Sequence, residues 1–191
     1  GLGGDTLKST AEDLLFNRAL PLNSYKTSRF TLDKDSPNAL VMQTSIGQGN
    51  TLVSPMHMAL ITSAIANDGV LMKPTMIDKI VNNSGDAVRE TEKTEYKRLM
   101  TRNEANILGK LMKNVVENGT ASALNGRGYT VAGKTGSAEF DENGSSHSWF
   151  VGYSNVDDPD IAIAVIVENG GTGSEAAVPI AADVFDAYYF D

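Results

Sequence analysis

The run Val131-Ala132-Gly133-Lys134-Thr135-Gly136-Ser137-Ala138-Glu139 constrains this chain more than any other, because it sets a lysine, two hydroxyls and two glycines inside a strand-like segment. Glycine weakens a strand interior and is normally kept there only where a ligand or another backbone must come close. An ammonium, the hydroxyls of Thr135 and Ser137 and an unobstructed strand edge suit a substrate that carries a carboxylate and lies along the backbone. A surface Lys-Thr-Gly turn is the plainer alternative. Strand-like runs over residues 129–140, 148–154 and 161–168 are joined by the short turn segments Asp141-Glu142-Asn143-Gly144 and Asp157-Asp158-Pro159-Asp160. Links that short predict an antiparallel meander with the lysine run as its first strand.

Residues Gly128 to Thr135 also satisfy G-x-x-x-x-G-K-[ST], the phosphate-binding loop pattern. That pattern works only where a strand ends at the first glycine and a helix starts at the lysine. Here the order is reversed: a helical segment precedes Gly128, and Lys134 leads into Ser137-Ala138-Glu139-Phe140 and a Gly-rich turn. Nucleotide binding is therefore set aside. The formal charge of -8, from 16 basic and 24 acidic residues, also disfavours nucleic acid as a partner. With 191 residues, 41% of them hydrophobic, the chain is long and apolar enough for one domain with a real core. It has no cysteine, which excludes disulfides and thiolate zinc, and no cofactor or metal site is expected.

The remaining periodicities predict helices. A first one is expected over residues 5–17, with Leu7, Ala11, Leu14 and Leu15 on one face, followed by a polar, irregular connection over 20–38 and a short helix over 39–44. Ser54 as N-cap and Pro55 at the first helical position start another, which stops at Asn67-Asp68-Gly69 with Met58, Ile61, Thr62 and Ile65 toward the core. Residues 71–81 and 87–94 alternate loosely about a hairpin turn at 82–86. Thr101-Arg102-Asn103-Glu104 reads as a capping box for a helix that runs to Asn118-Gly119. Thr120 is expected to cap a short helix over 121–124. A last helix over 177–189 should turn Ile180, Val184, Phe185 and Tyr188 toward the sheet.

Several separated blocks share an order with a known family. They are Ser45-Ile46-Gly47-Gln48-Gly49, Val53-Ser54-Pro55-Met56-His57-Met58-Ala59 and Ala64-Ile65-Ala66-Asn67-Asp68-Gly69; Val115-Val116 with Gly119-Thr120-Ala121; the lysine run; and His147-Ser148-Trp149-Phe150-Val151-Gly152-Tyr153 with Val167-Glu168-Asn169. In this order they resemble the penicillin-binding proteins, and more closely the class B peptidoglycan D,D-transpeptidases. The resemblance implies an α+β, serine β-lactamase-like fold of antiparallel strands packed by helices. It also implies acyl transfer: a serine attacks D-Ala-D-Ala, releases D-alanine and passes the acyl group to an amine.

Family members use S-x-x-K, then S-x-N, then K-[TS]-G. Only the third is convincing here. No S-x-x-K string occurs, Thr31-Leu32-Asp33-Lys34 being nearest, and Ser36-Pro37-Asn38 follows the kind of segment that S-x-N should precede. Residues 1–191 are therefore expected to form the C-terminal part of a transpeptidase domain, lacking the nucleophile and inactive alone. By resemblance Lys134 supplies positive charge. Thr135 and Ser137 bind the carboxylate of a D-Ala-D-Ala stem peptide or of a β-lactam, and Gly136 allows close approach. The Ser137 backbone N–H is expected to be one oxyanion-hole donor. The resemblance further implies the extracytoplasmic face of a bacterial membrane, with any anchor in sequence outside this chain. A D,D-carboxypeptidase or β-lactamase-type hydrolase and a non-catalytic β-lactam sensor or scaffold stay open. Partners are the missing part of the same domain and, through uncovered apolar surface and a strand edge, a second copy. His57 and His147 show no metal pair or triad, Trp149 and Phe150 are expected to pack in the core, and the acidic turns at 141–142 and 157–160 are expected to be solvated.

Overall fold

A computed structural model describes residues 3–22, 25–139 and 146–191. Its elements are α1 (Gly4–Asp13), α2 (Asn38–Ser45), α3 (Pro55–Ala66), β1 (Val70–Met72), β2 (Lys79–Val81), β3 (Ala87–Glu90), β4 (Glu95–Arg98), α4 (Arg102–Asn118), β5 (Val131–Glu139), β6 (Ser146–Ser154), β7 (Ala162–Val167) and α5 (Val178–Phe190). A 3-10 turn, Ser122–Leu124, follows α4, and a π-type turn, Gly173–Ala177, leads into α5.

The three-stranded sheet runs β5-β6-β7, all antiparallel, which is the expected meander. Its link over 140–145, including the Asp141 to Gly144 turn and the expected strand end at Phe140, lies outside the described residues. Alternation along the strands divides the sheet cleanly. Val131 and Phe150 face α5, where they join Val178, Ala181 and Phe185 in the largest core cluster. Ala132 and Tyr153 face the other way, onto Met112 of α4 and Ile65 of α3. The sheet is thus the middle of three layers, buried on both faces by helices.

Local chemistry sets the helix starts. The Ser54 Oγ accepts from the His57 N–H at 3.2 Å, and Pro55 occupies the position where a missing N–H costs nothing. At α4 the Thr101 Oγ1 accepts from the Glu104 N–H at 3.2 Å, while the Glu104 carboxylate accepts from the Thr101 N–H at 2.7 Å. The Thr101 hydroxyl, which also donates to that carboxylate at 2.7 Å, and the Thr101 N–H hold the Glu104 carboxyl below its ordinary pKa.

Four expectations are corrected. The first helix stops at Asp13 rather than near residue 17, because Leu15 (φ 73°) and Asn17 (φ 59°) turn left-handed. That turn drops Leu15 into a cluster with Leu20, Leu60 and Leu71. The segment 71–81 is broken between β1 and β2, around Pro74, and β1 pairs with β4 while β2 pairs with β3. Thr120 makes no cap to the 3-10 turn. On α5 only Phe185 of the four expected residues is buried; Val178, Ala181 and Ala182 complete the sheet-facing side, while Ile180 and Val184 lie 43% and 41% exposed. Two alanines let the helix axis approach the sheet more closely than Ile and Val would.

Candidate active site

Among the described residues the strand β5 pairs with β6 alone in its sheet, so its other edge is open. The register is unbroken from Val131↔Ser154 to Glu139↔Ser146. In an antiparallel ladder, successive residues direct their N–H and C=O alternately toward the partner strand and away from it. Two contacts show which residues point outward. The Gln48 Nε2 donates to the Ser137 carbonyl at 3.4 Å, and the Lys134 Nζ donates to the Thr135 carbonyl at 2.7 Å. The N–H of Ser137 leaves the strand on the same side as its carbonyl and is directed off the open edge.

The side chains alternate across that edge. Lys134 is exposed and, through its pairing with Val151, shares a face with Trp149 and Ile166. Thr135 and Ser137 turn to the α5 face. There the Thr135 Oγ1 lies 2.5 Å from the Thr120 Oγ1, and the Ser137 Oγ accepts from the Gly173 N–H at 3.3 Å. Each of these contacts leaves one hydroxyl hydrogen to donate elsewhere. Lys134 and the two hydroxyls therefore flank the open edge from opposite faces of the sheet.

The support under that edge is built from β6. The Ser148 Oγ, fully buried, donates to the Thr172 carbonyl at 2.7 Å and accepts from the Ala177 N–H at 3.0 Å. The Ser146 Oγ donates to the Gly171 carbonyl at 2.8 Å. These bonds press the turn over 171–177 against the sheet and bring the Gly173 N–H to Ser137. A Cβ at Gly173 would stand 2.6 Å from the Trp149 carbonyl oxygen and 2.8 Å from that of Gly136, so only glycine fits.

A cleft of about 840 Å³ opens beside β5, with the turn over 46–53 as its far wall. Gly47 (φ 85°) and Gly49 (φ 80°) take that turn through left-handed backbone, which places Gln48 against Ser137. Lys134, Gly136 and Ser137 all line the cleft. At Gly136 a Cβ would stand 3.3 Å from the Trp149 Cβ, whereas at Gly133 it would meet the Phe150 ring at 2.3 Å. Of the two glycines expected to admit a ligand, Gly133 is thus claimed by core packing and Gly136 lies on the cleft. Trp149 also lines the cleft and is only half-buried, which corrects its expected core position; Phe150 is fully buried as expected.

His147 lines the same cleft, and its Nδ1 accepts from the Asn169 N–H at 3.3 Å. His57 is fully buried, with its Nε2 2.7 Å from the Leu14 carbonyl and its ring 4.7 Å from that of Phe16, a structural role. The turn over 157–160 is exposed throughout, as expected, and the Asp160 carboxylate accepts from the Tyr189 hydroxyl at 2.9 Å. Thr120, Gly173 and Trp149 were not singled out as site residues from sequence. Gln48 was visible only as part of the Ser45 to Gly49 block.

Comparison with known proteins shows the family of the chain. The family model described as penicillin binding protein transpeptidase domain matches residues 2–186. Penicillin-binding protein 3 of Bacillus subtilis is 32% identical over 88% of the chain and 25% of its own length. The peptidoglycan D,D-transpeptidase PbpA of Mycolicibacterium smegmatis is 29% identical over 93% of the chain and 38% of its own length. Among solved structures, penicillin-binding protein A from M. tuberculosis, captured as an imipenem acyl-enzyme complex, superposes with a TM-score of 0.81 at 26% identity, over 96% of this chain and 42% of that one. The chain therefore spans well under half the length of these relatives. A family match over nearly all of its residues, with a lysine-bearing strand on an open sheet edge, makes this chain a member of the penicillin-binding protein transpeptidase domain family.

Proposed function

We propose that this chain forms the lysine-strand side of the active site of a peptidoglycan D,D-transpeptidase that also binds β-lactams. The observation that carries this reading is the open edge of β5, where the Ser137 N–H, the Lys134 ammonium and Gly136 meet one cleft of about 840 Å³. A peptide ending in D-Ala-D-Ala lies along that edge as an added strand. Its terminal carboxylate takes the remaining hydroxyl hydrogens of Ser137 and the Thr135–Thr120 pair, with Lys134 supplying positive charge. The Ser137 N–H donates to the oxyanion as the tetrahedral intermediate forms, and one such donor is worth roughly 3 kcal/mol in the transition state.

Residues outside 1–191 supply the nucleophilic serine, its lysine and S-x-N. The serine oxygen bonds to the penultimate carbonyl carbon, its proton passes to the departing amine, and D-alanine leaves. An amine of a second stem peptide then displaces the serine. Without the nucleophile these 191 residues have no first step, so they are inactive alone. The reaction takes place on the extracytoplasmic face of a bacterial membrane.

Incubation with a fluorescent penicillin, followed by denaturing electrophoresis and intact mass, tests this reading on the 191-residue chain and on the full-length protein side by side. Label on the full-length protein alone is the expected result. Label on neither overturns the transpeptidase reading, and label on the short chain overturns the placement of the nucleophile outside it.

A further inference from the structure

Within the polar connection over 20–38, residues 28–30 are held by hydrogen bonds at a point that borders the cleft. Asn17 reaches across it with its side chain: its Oδ1 accepts from the Phe30 N–H at 3.0 Å and its Nδ2 donates to the Phe30 carbonyl at 2.9 Å. The Asn17 N–H donates to the Ser28 carbonyl at 2.8 Å. From the other side the Ser54 N–H donates to the Ser28 Oγ at 3.3 Å, and Arg29 forms an antiparallel bridge to Leu52 through hydrogen bonds of 2.7 and 2.9 Å. Six hydrogen bonds thus fix three consecutive residues in extended backbone. Alternation then sends Phe30 inward, 6.0 Å from the Phe16 ring, and Arg29 and Thr31 into the cleft that Lys134 lines.

Arg29 is exposed, and among the described residues its side chain makes neither an ion pair nor a hydrogen bond. A solvated surface arginine needs no such scaffold. The chain carries a formal charge of -8, yet among the described residues the cleft is lined by Arg29 and Lys134 against the single carboxylate of Glu139. A guanidinium offers a planar fork of donors matched to a carboxylate, which an ammonium does not.

We propose that Arg29 is a second anion-binding position of this cleft, taking a carboxylate on the peptide other than the C-terminal one that the Thr135 and Ser137 hydroxyls bind. The inference rests on the transpeptidase reading for the identity of the peptide, but not for the chemistry of the contact. Its consequence is selectivity. A peptide ending in D-Ala-D-Ala with a free internal carboxylate binds better than the same peptide with that group amidated, and Arg29 carries the difference.

The experiment is equilibrium binding, by calorimetry, of that matched peptide pair to the full-length protein and to its Arg29→Gln and Arg29→Lys forms. The wild type is expected to prefer the free acid by about tenfold, the scale of one exposed charge-assisted contact. Arg29→Gln should bring the ratio close to one by weakening only the acid, and Arg29→Lys should leave an intermediate ratio because charge persists without the fork. Equal affinity of the wild type for both peptides, or an equal loss for both in Arg29→Gln, overturns the proposal. Binding requires no acyl transfer. Absence of penicillin labelling therefore sinks the transpeptidase reading while leaving the affinity ratio to judge Arg29.

Discussion

Replacing Gly133 by alanine separates core packing from access to the cleft on the strand that carries Lys134. The backbone at Gly133 lies outside the left-handed region, so alanine suits its conformation and the cost is steric alone. The new Cβ would stand 2.3 Å and 2.6 Å from two ring carbons of Phe150 and 3.0 Å from the Val151 carbonyl oxygen. Phe150 has no room to yield, being 0% exposed within the cluster that holds Val131, Val178 and Phe185. Overpacking of this kind costs about 1–3 kcal/mol, and the fixed ring places Gly133→Ala in the upper half of that range. Phe150→Leu alone creates a smaller deficit of about 1–2 kcal/mol, but it removes the ring atoms that the methyl would strike. In urea denaturation of the four members of the cycle, the double variant should be more stable than the sum of the singles implies, by at least about 1 kcal/mol. Additive losses, or a Gly133→Ala protein of unchanged midpoint, would refute the claim that the ring is why glycine stands there.

The remaining expectations are of the same kind. Thr101→Ala removes one half of the capping box and should lower stability by about 1 kcal/mol in the same denaturation assay. Burial depresses the His57 pKa below its ordinary 6.5. The unfolded chain then binds the proton more readily, so this contribution is complete above pH 6.5 and is lost as pH falls through the folded value. The urea midpoint should decline from pH 7 to 5.5, with a flatter slope in His57→Gln. The Asp186 carboxyl, hydrogen-bonded by the Tyr129 hydroxyl and by Arg127, is held below its ordinary 3.8. Asp186→Asn should therefore be destabilised at neutral pH, with the gap to wild type closing as pH drops below that value. Burial, reinforced by Asp186, pushes Tyr129 up to about 12, so ultraviolet titration should show the Tyr129 phenol ionising late, and earlier in Asp186→Asn. Finally, β7 pairs only with β6 among the described strands, and Tyr188 and Phe190 lie 53% and 65% exposed on α5 beside Ile180 and Val184. The isolated 191-residue chain should self-associate in sedimentation; a monodisperse monomer that binds no hydrophobic dye would contradict this.

What could be read from the sequence was what neighbouring residues decide between themselves. Ser54-Pro55 and the Thr101–Glu104 box announce helix starts because each cap closes within a few residues. The meander is legible because its linking segments are too short for crossovers. The failures all turn on partners distant in the chain. Leu15 leaves the helix for a cluster that includes Leu99, and Asn17 leaves it to clamp Phe30. Thr120 meets Thr135 instead of capping the next turn. On α5 the larger apolar residues mark the wrong face, since contact with a sheet rewards the small side chains that let the backbones close up.

The two glycines of the lysine strand show where that limit lies. Both break the same local rule, and close approach is the right inference for each. What approaches is different: a buried aromatic ring on the α5 face at Gly133, and the open cleft itself, over Trp149, at Gly136. Strand alternation places Gly133 and Gly136 on opposite faces of the sheet, one toward α5 and the other beside Lys134. Their separation by three residues, an odd number, already required opposite faces. A single ligand lying on one face could not have explained both. The deciding fact was therefore in the spacing, but it acquired meaning only once the register set Phe150 beneath one glycine and Trp149 beside the other.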